Sequence, residues 1–208
     1  MSAPTRRRRP TRSGAAHAGA RLTGGEACGR RLATISQDGL RASTGVVRAA
    51  CFNILGEAVL DATVLDLFAG AGSLGLEALS RGARHVTFVE KGRERAALVT
   101  QNAVALGYGD RAEVVTADVI GWLAAQRRSV VAADLVLMDP PYLDPGPALC
   151  VAALARLGEI AASEPAWFPE VVLEHHRRFE PPLTRGALQC VRQSHYGSTQ
   201  LSFYRRLP

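Results

Sequence analysis

The sequence of 208 residues is poor in lysine, has no closely spaced cysteines and lacks long apolar runs. Lys91 is the only lysine, so the Tyr-x-x-x-Lys arrangement of many dehydrogenases is absent. The four cysteines form no C-x-x-C motif, which gives no support for a zinc or redox site and favours reduced thiols in the cytoplasm. No apolar run approaches the ~20 residues that cross a bilayer. We therefore expect a cytoplasmic protein with no membrane association.

Positive charge is concentrated at the N-terminus. Residues 1–25 contain six arginines and no acidic residue, whereas the rest of the chain has 19 basic and 19 acidic residues, so the net charge of +6 comes from this segment. Residues 1–20 are rich in Arg, Pro, Ser, Ala and Gly without apolar periodicity, which predicts a disordered basic tail. Such a tail is attracted to phosphate backbones, although a purely solubilising arm fits the same composition.

The composition, 47% apolar and 21% charged, is typical of a globular chain, and its length suits one domain. The glycines between Arg21 and Leu40 indicate a small hairpin or a glycine-rich arm. Apolar residues at helical spacing predict a helix from Ser43 or Thr44 to Gly56. Strand-like and helix-like segments then alternate. The predicted strands are 63–68, 85–90, 113–117, 134–138, 171–175, 188–194 and 199–205, and the predicted helices are 73–81, 92–106, 119–126 and 144–157.

The pattern of these segments predicts the fold class. Continuously apolar strands such as Leu135–Met138 indicate a parallel sheet that is covered on both faces. The last two predicted strands have no helix between them, which indicates an antiparallel hairpin at one edge. The sequence therefore predicts an α/β fold: a Rossmann-like, doubly wound, mostly parallel sheet with an antiparallel C-terminal edge hairpin and a small N-terminal extension.

A glycine-rich turn joins the first predicted strand to the helix after it. Gly70, Gly72 and Gly75 fit the pattern G-x-G-x-x-G, in which residues without a Cβ let a nucleotide-like ligand lie against the backbone. Glu90 ends the second predicted strand, where a carboxylate can accept the hydrogens of ribose hydroxyls. Together these residues predict a site for an adenosine-containing cofactor, and a glycine turn kept for close packing is the alternative.

Asp118 and Val119 follow the third predicted strand, at the same edge of the sheet. The Asp118 carboxylate is placed to accept a hydrogen bond from an adenine amino group, and the backbone near Val119 is placed to contact the ring edge. Aspartate is also a favoured N-cap. Capping of the next helix is therefore the alternative interpretation of Asp118, and the two roles are compatible.

The segment Asp139-Pro140-Pro141-Tyr142 follows the fourth predicted strand. An exocyclic base amine is a poor nucleophile because its lone pair is delocalised into the ring. The Asp139 carboxylate and the Pro140 carbonyl can hold both amine hydrogens and direct the lone pair at a methyl group, and the prolines fix these acceptors in place. Tyr142 offers an aromatic face for a base turned out of its helix. The segment predicts methyl transfer to a base amine, with a rigid strand-exit turn as the alternative.

At these residues the chain resembles the S-adenosylmethionine-dependent class I methyltransferases with a D-P-P-Y motif, and most closely the bacterial 16S rRNA guanine-N2 methyltransferases of the RsmD type. The resemblance spans about Arg21 to Tyr204. It rests on Gly29–Leu32, Val47–Arg48, Phe52–Leu55, Leu65–Gly72, Leu74–Ala83, Phe88–Glu90, Asn102, Asp139–Tyr142 and Tyr196–Gly197. The chain departs from the family pattern at Arg41-Ala42-Ser43, where Arg-Pro-Thr is usual, and at Ala49, where an acidic residue is usual.

The resemblance implies transfer of a methyl group from S-adenosyl-L-methionine, without a metal, to the N2 amine of one guanine in small-subunit rRNA, on a partly assembled subunit. We expect the protein to be a monomer. It divides the chain into the basic tail (1–20), an RNA-contacting arm and helix (21–57) and the methyltransferase domain (58–208). The residues that it assigns to the cofactor are Asp66, Phe68, Gly70, Gly72, Glu90, Lys91, Asp118 and Val119. Those assigned to the target base are Asp139, Pro140 and Tyr142, and those assigned to RNA are Arg30, Arg31 and Arg48.

Three other functions remain open from the sequence. A nicotinamide-dependent dehydrogenase shares the glycine turn, but only 66 residues follow Tyr142, which leaves little room for a second catalytic region. An adenine-N6 methyltransferase acting on DNA or RNA shares the D-P-P-Y motif. An inactive RNA-binding assembly factor would retain the same fold. The five histidines show no metal-ligand or triad spacing, so we assign them no chemistry.

Overall fold

The computed structural model describes residues 20–34, 44–142 and 144–207, which are built around an eight-stranded sheet. Its strands are β1 (Thr63–Leu67), β2 (His85–Glu90), β3 (Ala112–Thr116), β4 (Leu135–Met138), β5 (Glu170–His176), β6 (Thr184–Arg185), β7 (Leu188–Tyr196) and β8 (Thr199–Arg206). Their order is β3-β2-β1-β4-β5-β8-β7-β6. Strands β1 to β5 are parallel, and β8, β7 and β6 extend the sheet in antiparallel fashion. The predicted fold class is confirmed.

Helices cover both faces of the sheet. They are α1 (Gly45–Leu55), α2 (Ser73–Ser80), α3 (Arg93–Leu106), α4 (Val119–Ala125), α5 (Arg127–Val131) and α6 (Gly146–Ser163), with 3-10 turns at Gly56–Val59 and Gly109–Arg111. One core lies between the sheet and α1, α2 and α3, and a second lies between the sheet and α4, α5 and α6. The sequence predicts neither α5 nor β6, because segments of five and two residues are too short to show a period.

Helix α6 begins two residues later and ends six residues later than predicted. Gly158, just beyond the predicted end, does not stop the helix but packs tightly: an added Cβ would lie 2.1 Å from the Arg185 carbonyl oxygen. By length and composition α6 would be able to cross a membrane, but eight of its residues, including Leu154 and Leu157, are buried inside the protein. That burial is typical of the central helix of a globular domain.

The N-terminal arm, residues 20–34, is a hairpin-like loop that packs on α2 and α3. Arg21 and Arg31 form an isolated antiparallel bridge, and Leu22 is only 2% exposed. The described part of the arm therefore matches the predicted hairpin. Residues 1–19 of the predicted basic tail (1–20) and the family departure at Arg41–Ser43 lie outside the described residues.

Glu77 on α2 links the arm, α1 and α2. Its fully buried carboxylate accepts hydrogen bonds from the Thr23 backbone N (2.8 Å) and Oγ1 (2.7 Å), from Arg48 Nε (3.0 Å) and from Arg81 Nε (2.8 Å). Burial alone raises the pKa of a carboxyl group, but these hydrogen bonds outweigh burial and hold the pKa of Glu77 below its ordinary value. The ionised carboxylate is thus the form that the surrounding residues stabilise.

Candidate active site

The turn after β1 has the backbone shape that close approach of a nucleotide needs. Phe68, Gly70 and Gly72 have positive φ angles of 64°, 57° and 81°. A positive φ is rare for a residue with a side chain, and such residues cluster in functional turns. A Cβ on Gly70 would have no neighbour closer than 4.0 Å, so this part of the turn borders open space. Asn102 on α3 holds the turn from behind, because its Nδ2 donates to the Ala71 carbonyl at 3.3 Å.

Asp66 lies beneath the turn, inside the protein. It is 1% exposed, and its Oδ2 accepts a hydrogen bond from the Gly75 backbone N at 2.8 Å. A Cβ on Gly75 would be 2.3 Å from the Phe88 ring, so α2 can approach β2 this closely only at a glycine. Burial raises the pKa of Asp66 to about 7, against the Gly75 hydrogen bond and together with the nearby Glu90. Asp66 therefore supports the turn through Gly75.

Replacing Asp66 with asparagine is expected to stabilise the protein more at about pH 8 than at about pH 5. The pKa of Asp66 is raised from 3.8 to about 7, so between these values the folded protein holds a proton that the unfolded chain releases. As the pH rises over that range, the ionisation of Asp66 lowers the free energy of unfolding of the wild type. The D66N variant has no such group to ionise and keeps its stability. Thermal unfolding at both pH values measures the difference. An identical effect of the substitution at both would contradict the raised pKa.

Glu90, at the end of β2, faces the same turn. Its Oε2 accepts a hydrogen bond from the Gly70 backbone N at 2.9 Å, and its Oε1 accepts one from the Gly92 backbone N at 2.7 Å. These bonds fix the carboxylate, which is 7% exposed, and each oxygen retains a lone pair for a further donor. Lys91, the next residue, is exposed. A fixed acceptor beside the turn is what a ribose requires.

Asp118 caps helix α4 and also faces solvent. Its Oδ1 accepts a hydrogen bond from the Gly121 backbone N at 3.1 Å, so the capping role considered from the sequence is present. The side chain is exposed, and Val119 beside it is buried. Strand β3 ends with Thr116 opposite Glu90, which puts Asp118 just beyond the same edge of the sheet. Its second oxygen is compatible with an additional contact to adenine.

The D-P-P-Y segment leaves the sheet beside the glycine turn. Strands β1 and β4 are neighbours with Leu67 opposite Met138, and the Asp139 backbone N lies 3.5 Å from the Leu67 carbonyl oxygen. The next residue of each strand, Phe68 and Asp139, therefore begins its loop at the same place. Asp139 is half-buried and Pro140 is buried. The predicted cofactor turn therefore shares one edge of the sheet with the residues predicted to hold the target base, Asp139, Pro140 and Tyr142, which we call the base clamp.

The Tyr142 hydroxyl is anchored on β5 and β8. It donates to Glu174 Oε1 at 3.0 Å and lies 3.2 Å from Thr199 Oγ1, and the ring meets that of His176 edge to face with centroids 6.0 Å apart. Burial, followed by the charge of Glu174, raises the pKa of Tyr142, so the phenol stays protonated and able to donate. The sequence interpretation missed Glu174; the available signal was a carboxylate directly after the apolar run Val171–Leu173.

Two of the three arginines assigned to RNA are on the surface, and the third is in the core. Arg30 and Arg31 are exposed, and Arg30 Nη2 donates to the Ala105 carbonyl at 3.0 Å. Arg48 is 0% exposed, because its guanidinium is bound to Glu77 and to the backbone carbonyl of Arg21. The prediction that Arg48 contacts RNA is therefore wrong: this side chain neutralises a buried carboxylate.

The residues at this edge fit the adenosine part of S-adenosylmethionine. The space beside Gly70 admits the ligand, Glu90 suits the ribose hydroxyls, and the exposed Asp118 oxygen suits the adenine amino group. Within residues 20–34, 44–142 and 144–207, no three His, Cys, Asp or Glu side chains cluster in a way that suits a metal ion.

Known proteins match nearly the whole chain. Residues 20–205 match the family described as Conserved hypothetical protein 95. YlbH of Bacillus subtilis (strain 168), named as a candidate rRNA methyltransferase, is 32% identical over 186 residues, which cover 89% of this chain and 98% of YlbH. Ribosomal RNA small subunit methyltransferase D of Escherichia coli (strain K12) is 37% identical over 135 residues, which cover 65% of each chain.

Solved structures agree with this match. The structure of yhhF from Escherichia coli, a candidate methyltransferase, is 28% identical with a TM-score of 0.74, and the alignment covers 90% of this chain and 97% of yhhF. An RNA methyltransferase from Salinibacter ruber in complex with S-adenosyl-L-homocysteine shares the fold, with a TM-score of 0.58 at 15% identity over 81% of this chain and 97% of that one. The chain therefore belongs to the Conserved hypothetical protein 95 or RsmD family of class I methyltransferases, whose cofactor is S-adenosylmethionine.

Proposed function

We propose that this protein transfers a methyl group from S-adenosyl-L-methionine to the exocyclic N2 amine of a guanine in small-subunit (16S) rRNA. The observation that carries the proposal is the side-by-side exit of β1 and β4, which brings the glycine turn next to Asp139 and Pro140. The relative named as a small-subunit rRNA methyltransferase supports rRNA as the substrate. We further propose that the enzyme is a monomer and works in the bacterial cytoplasm without a metal. Its substrate is rRNA or an assembly intermediate of the small subunit.

The base clamp overcomes the poor nucleophilicity of the guanine amine. S-adenosylmethionine supplies an electrophilic methyl group on a positively charged sulfur. The Asp139 carboxylate and the Pro140 carbonyl accept the two amine hydrogens, which favours a pyramidal nitrogen with its lone pair directed away from the ring. Because Pro140 and Pro141 have fixed φ angles, these acceptors need little reordering when the base arrives. Tyr142 stacks on the flipped base, and its anchored hydroxyl fixes the orientation of the ring.

The remaining assigned residues act on the cofactor and on the RNA. Glu90 accepts the ribose hydrogens and Asp118 the adenine amino hydrogen. Asp66 contributes indirectly, because it fixes Gly75 at the start of α2. The other residues proposed for the cofactor are Phe68, Gly70, Gly72, Lys91 and Val119, and those proposed for RNA are Arg30 and Arg31.

Mass spectrometry of rRNA nucleosides from cells with and without the gene tests this proposal. We expect N2-methylguanosine in small-subunit rRNA to be lost on deletion and restored by the purified protein acting on that RNA or its particles. Inosine in place of the target guanosine lacks the amine and should not be methylated. Loss of N6-methyladenosine instead would favour the adenine-directed activity, which uses the same D-P-P-Y chemistry. No difference in any methylated base would indicate an inactive assembly factor.

Replacing Tyr142 with alanine should lower kcat/KM for rRNA about 5- to 150-fold, because losing a base–aromatic stack costs about 1–3 kcal/mol. Y142F keeps the ring but loses the hydroxyl anchor, so we expect a smaller loss of about 2- to 10-fold, equivalent to one net hydrogen bond. The Thr199→Val variant serves as the control, because the Tyr142 hydroxyl keeps its hydrogen bond to Glu174 when the Thr199 hydroxyl is removed. Turnover of Y142A equal to that of the wild type would exclude stacking.

A further inference from the structure

We propose that a basic surface at the end of β5 binds the phosphates of the RNA strand that flanks the target base. This surface consists of Arg177 and Arg178 together with the β7–β8 turn at Gly197-Ser198, and we call it the β5 shelf. The inference rests on the proposed function and names the part of the protein that positions the RNA.

The β5 shelf adjoins the base clamp. Strands β4 and β5 pair with Met138 opposite Leu173, so β5 continues three residues beyond β4, to His176. The Tyr142 ring meets the His176 ring along this extension. Arg177 is the next residue, so the first cation of the shelf follows directly on a ring that contacts Tyr142. A nucleotide stacked on Tyr142 therefore has its neighbouring phosphates close to the two arginines.

The backbone of the β5 shelf is held in place while the arginine side chains remain exposed. The Arg177 backbone N donates to the Ser198 carbonyl at 2.9 Å, and the Arg178 backbone N donates to His176 Nδ1 at 3.2 Å. The Phe179 backbone N closes a turn by donating to the His176 carbonyl at 2.9 Å. Because the loop is already ordered, binding costs little backbone entropy. The backbone that carries Arg177 and Arg178 is therefore fixed, and their side chains are exposed to solvent.

The charge of this region suits phosphate. The loop that follows β5 carries two cations, Arg177 and Arg178, and one acidic residue, Glu180. In the part of the chain that the structure describes, neither Arg177 nor Arg178 forms a salt bridge. Several other surface arginines are already paired with carboxylates, namely Arg84, Arg111, Arg127, Arg156 and Arg205. Unpaired cations attract phosphates through counterion release. Arg48 is buried and so does not offer its charge to RNA. The β5 shelf, which begins next to His176, supplies positive charge beside the base clamp instead.

Fluorescence anisotropy with a fragment of 16S rRNA over a series of salt concentrations tests the β5 shelf. R177Q and R178Q each remove one charge, and R128Q removes the same charge from α5, which leads into the opposite end of β4. We expect the double variant R177Q/R178Q to bind RNA on the order of 10-fold more weakly. Its slope of log K against log salt should become shallower by about 0.7 for each phosphate that the variant no longer neutralises. R128Q should retain the wild-type slope.

Kinetics separate this surface from the clamp. At saturating RNA the double variant should keep the wild-type kcat and the wild-type affinity for S-adenosylmethionine while its KM for RNA rises, because neither arginine touches the amine or the methyl donor. Wild-type affinity and salt slope in R177Q/R178Q would overturn the inference. Failure of the proposed function would give a different result: the wild-type protein would form no N2-methylguanosine. Comparing the RNA affinity of the wild type with that of R177Q/R178Q would still decide the role of the β5 shelf.

Discussion

Replacing Asp139 with alanine is expected to lower methyl transfer by at least about 100-fold, the scale of losing one preorganised polar group at a reacting atom. Without this carboxylate, one amine hydrogen has no acceptor and the nitrogen lone pair stays in the ring. The affinity for S-adenosylmethionine should be unchanged, because the bonds that hold Glu90 to Gly70 and Gly92, and the Asn102 bond that holds the turn, stay in place. Transfer of radiolabelled methyl to rRNA measures the first quantity, and calorimetric titration with the cofactor measures the second.

Asp134 offers a matched control at the opposite end of the same strand. Its exposed carboxylate accepts a hydrogen bond from the Thr63 backbone N at 2.8 Å, away from the clamp. D134A should keep near-wild-type turnover and lose about 1 kcal/mol of stability, the usual worth of one hydrogen bond. Wild-type turnover in D139A, or equal losses of turnover in the two variants, would contradict the assignment of Asp139 to the target amine.

Replacing Glu77 with glutamine should destabilise the protein by about 3–5 kcal/mol, because it removes the buried carboxylate to which the Arg48 guanidinium is paired. For a domain of this size such a loss lowers Tm by roughly 6–20 °C. The matched control is E159Q, which disrupts an exposed pair with Arg156 and should change stability by less than about 1 kcal/mol. Thermal unfolding of the three proteins measures both effects.

The pH dependence of stability provides a second measure of Glu77. Its pKa is held below the ordinary 4.5, so its contribution is fully present above that value and is lost as the pH falls through the pKa of the folded state. The advantage of the wild type over E77Q should therefore shrink below about pH 4. Equal stability of the two proteins near neutral pH would show that the buried ion pair contributes nothing net.

The elements around the site are predictable because their positions follow from local patterns. Asp139 and Glu90 each follow or end a strand of apolar residues, and parallel strands bring their carboxyl ends to the same edge of a sheet. The glycine turn after β1 is predictable as well, because its backbone conformation is easily adopted only by residues without a Cβ. Chain order alone therefore places the predicted cofactor turn beside the predicted clamp.

Partnerships between distant residues are not predictable in this way. Arg48 shares a face of α1 with Phe52 and Leu55, but only the fold shows that its partner in the core is Glu77, 29 residues away. Likewise Glu174 acquires its role from Tyr142, 32 residues earlier. Each pair is defined by the packing of separate elements, which no local periodicity encodes.

Both the oxygen and the nitrogen of the Asn102 side-chain amide form hydrogen bonds with backbone groups, in two separate segments of the chain. Its Oδ1 accepts from the Ala33 N at 2.8 Å, and its Nδ2 donates to the Ala33 carbonyl at 3.1 Å and to the Ala71 carbonyl at 3.3 Å. The arm and the glycine turn are thus braced by the same side chain. Trimming the chain back to α1 would remove both bonds to Ala33 and leave Asn102 held only at the turn, so we expect loss of the arm to loosen the glycine turn.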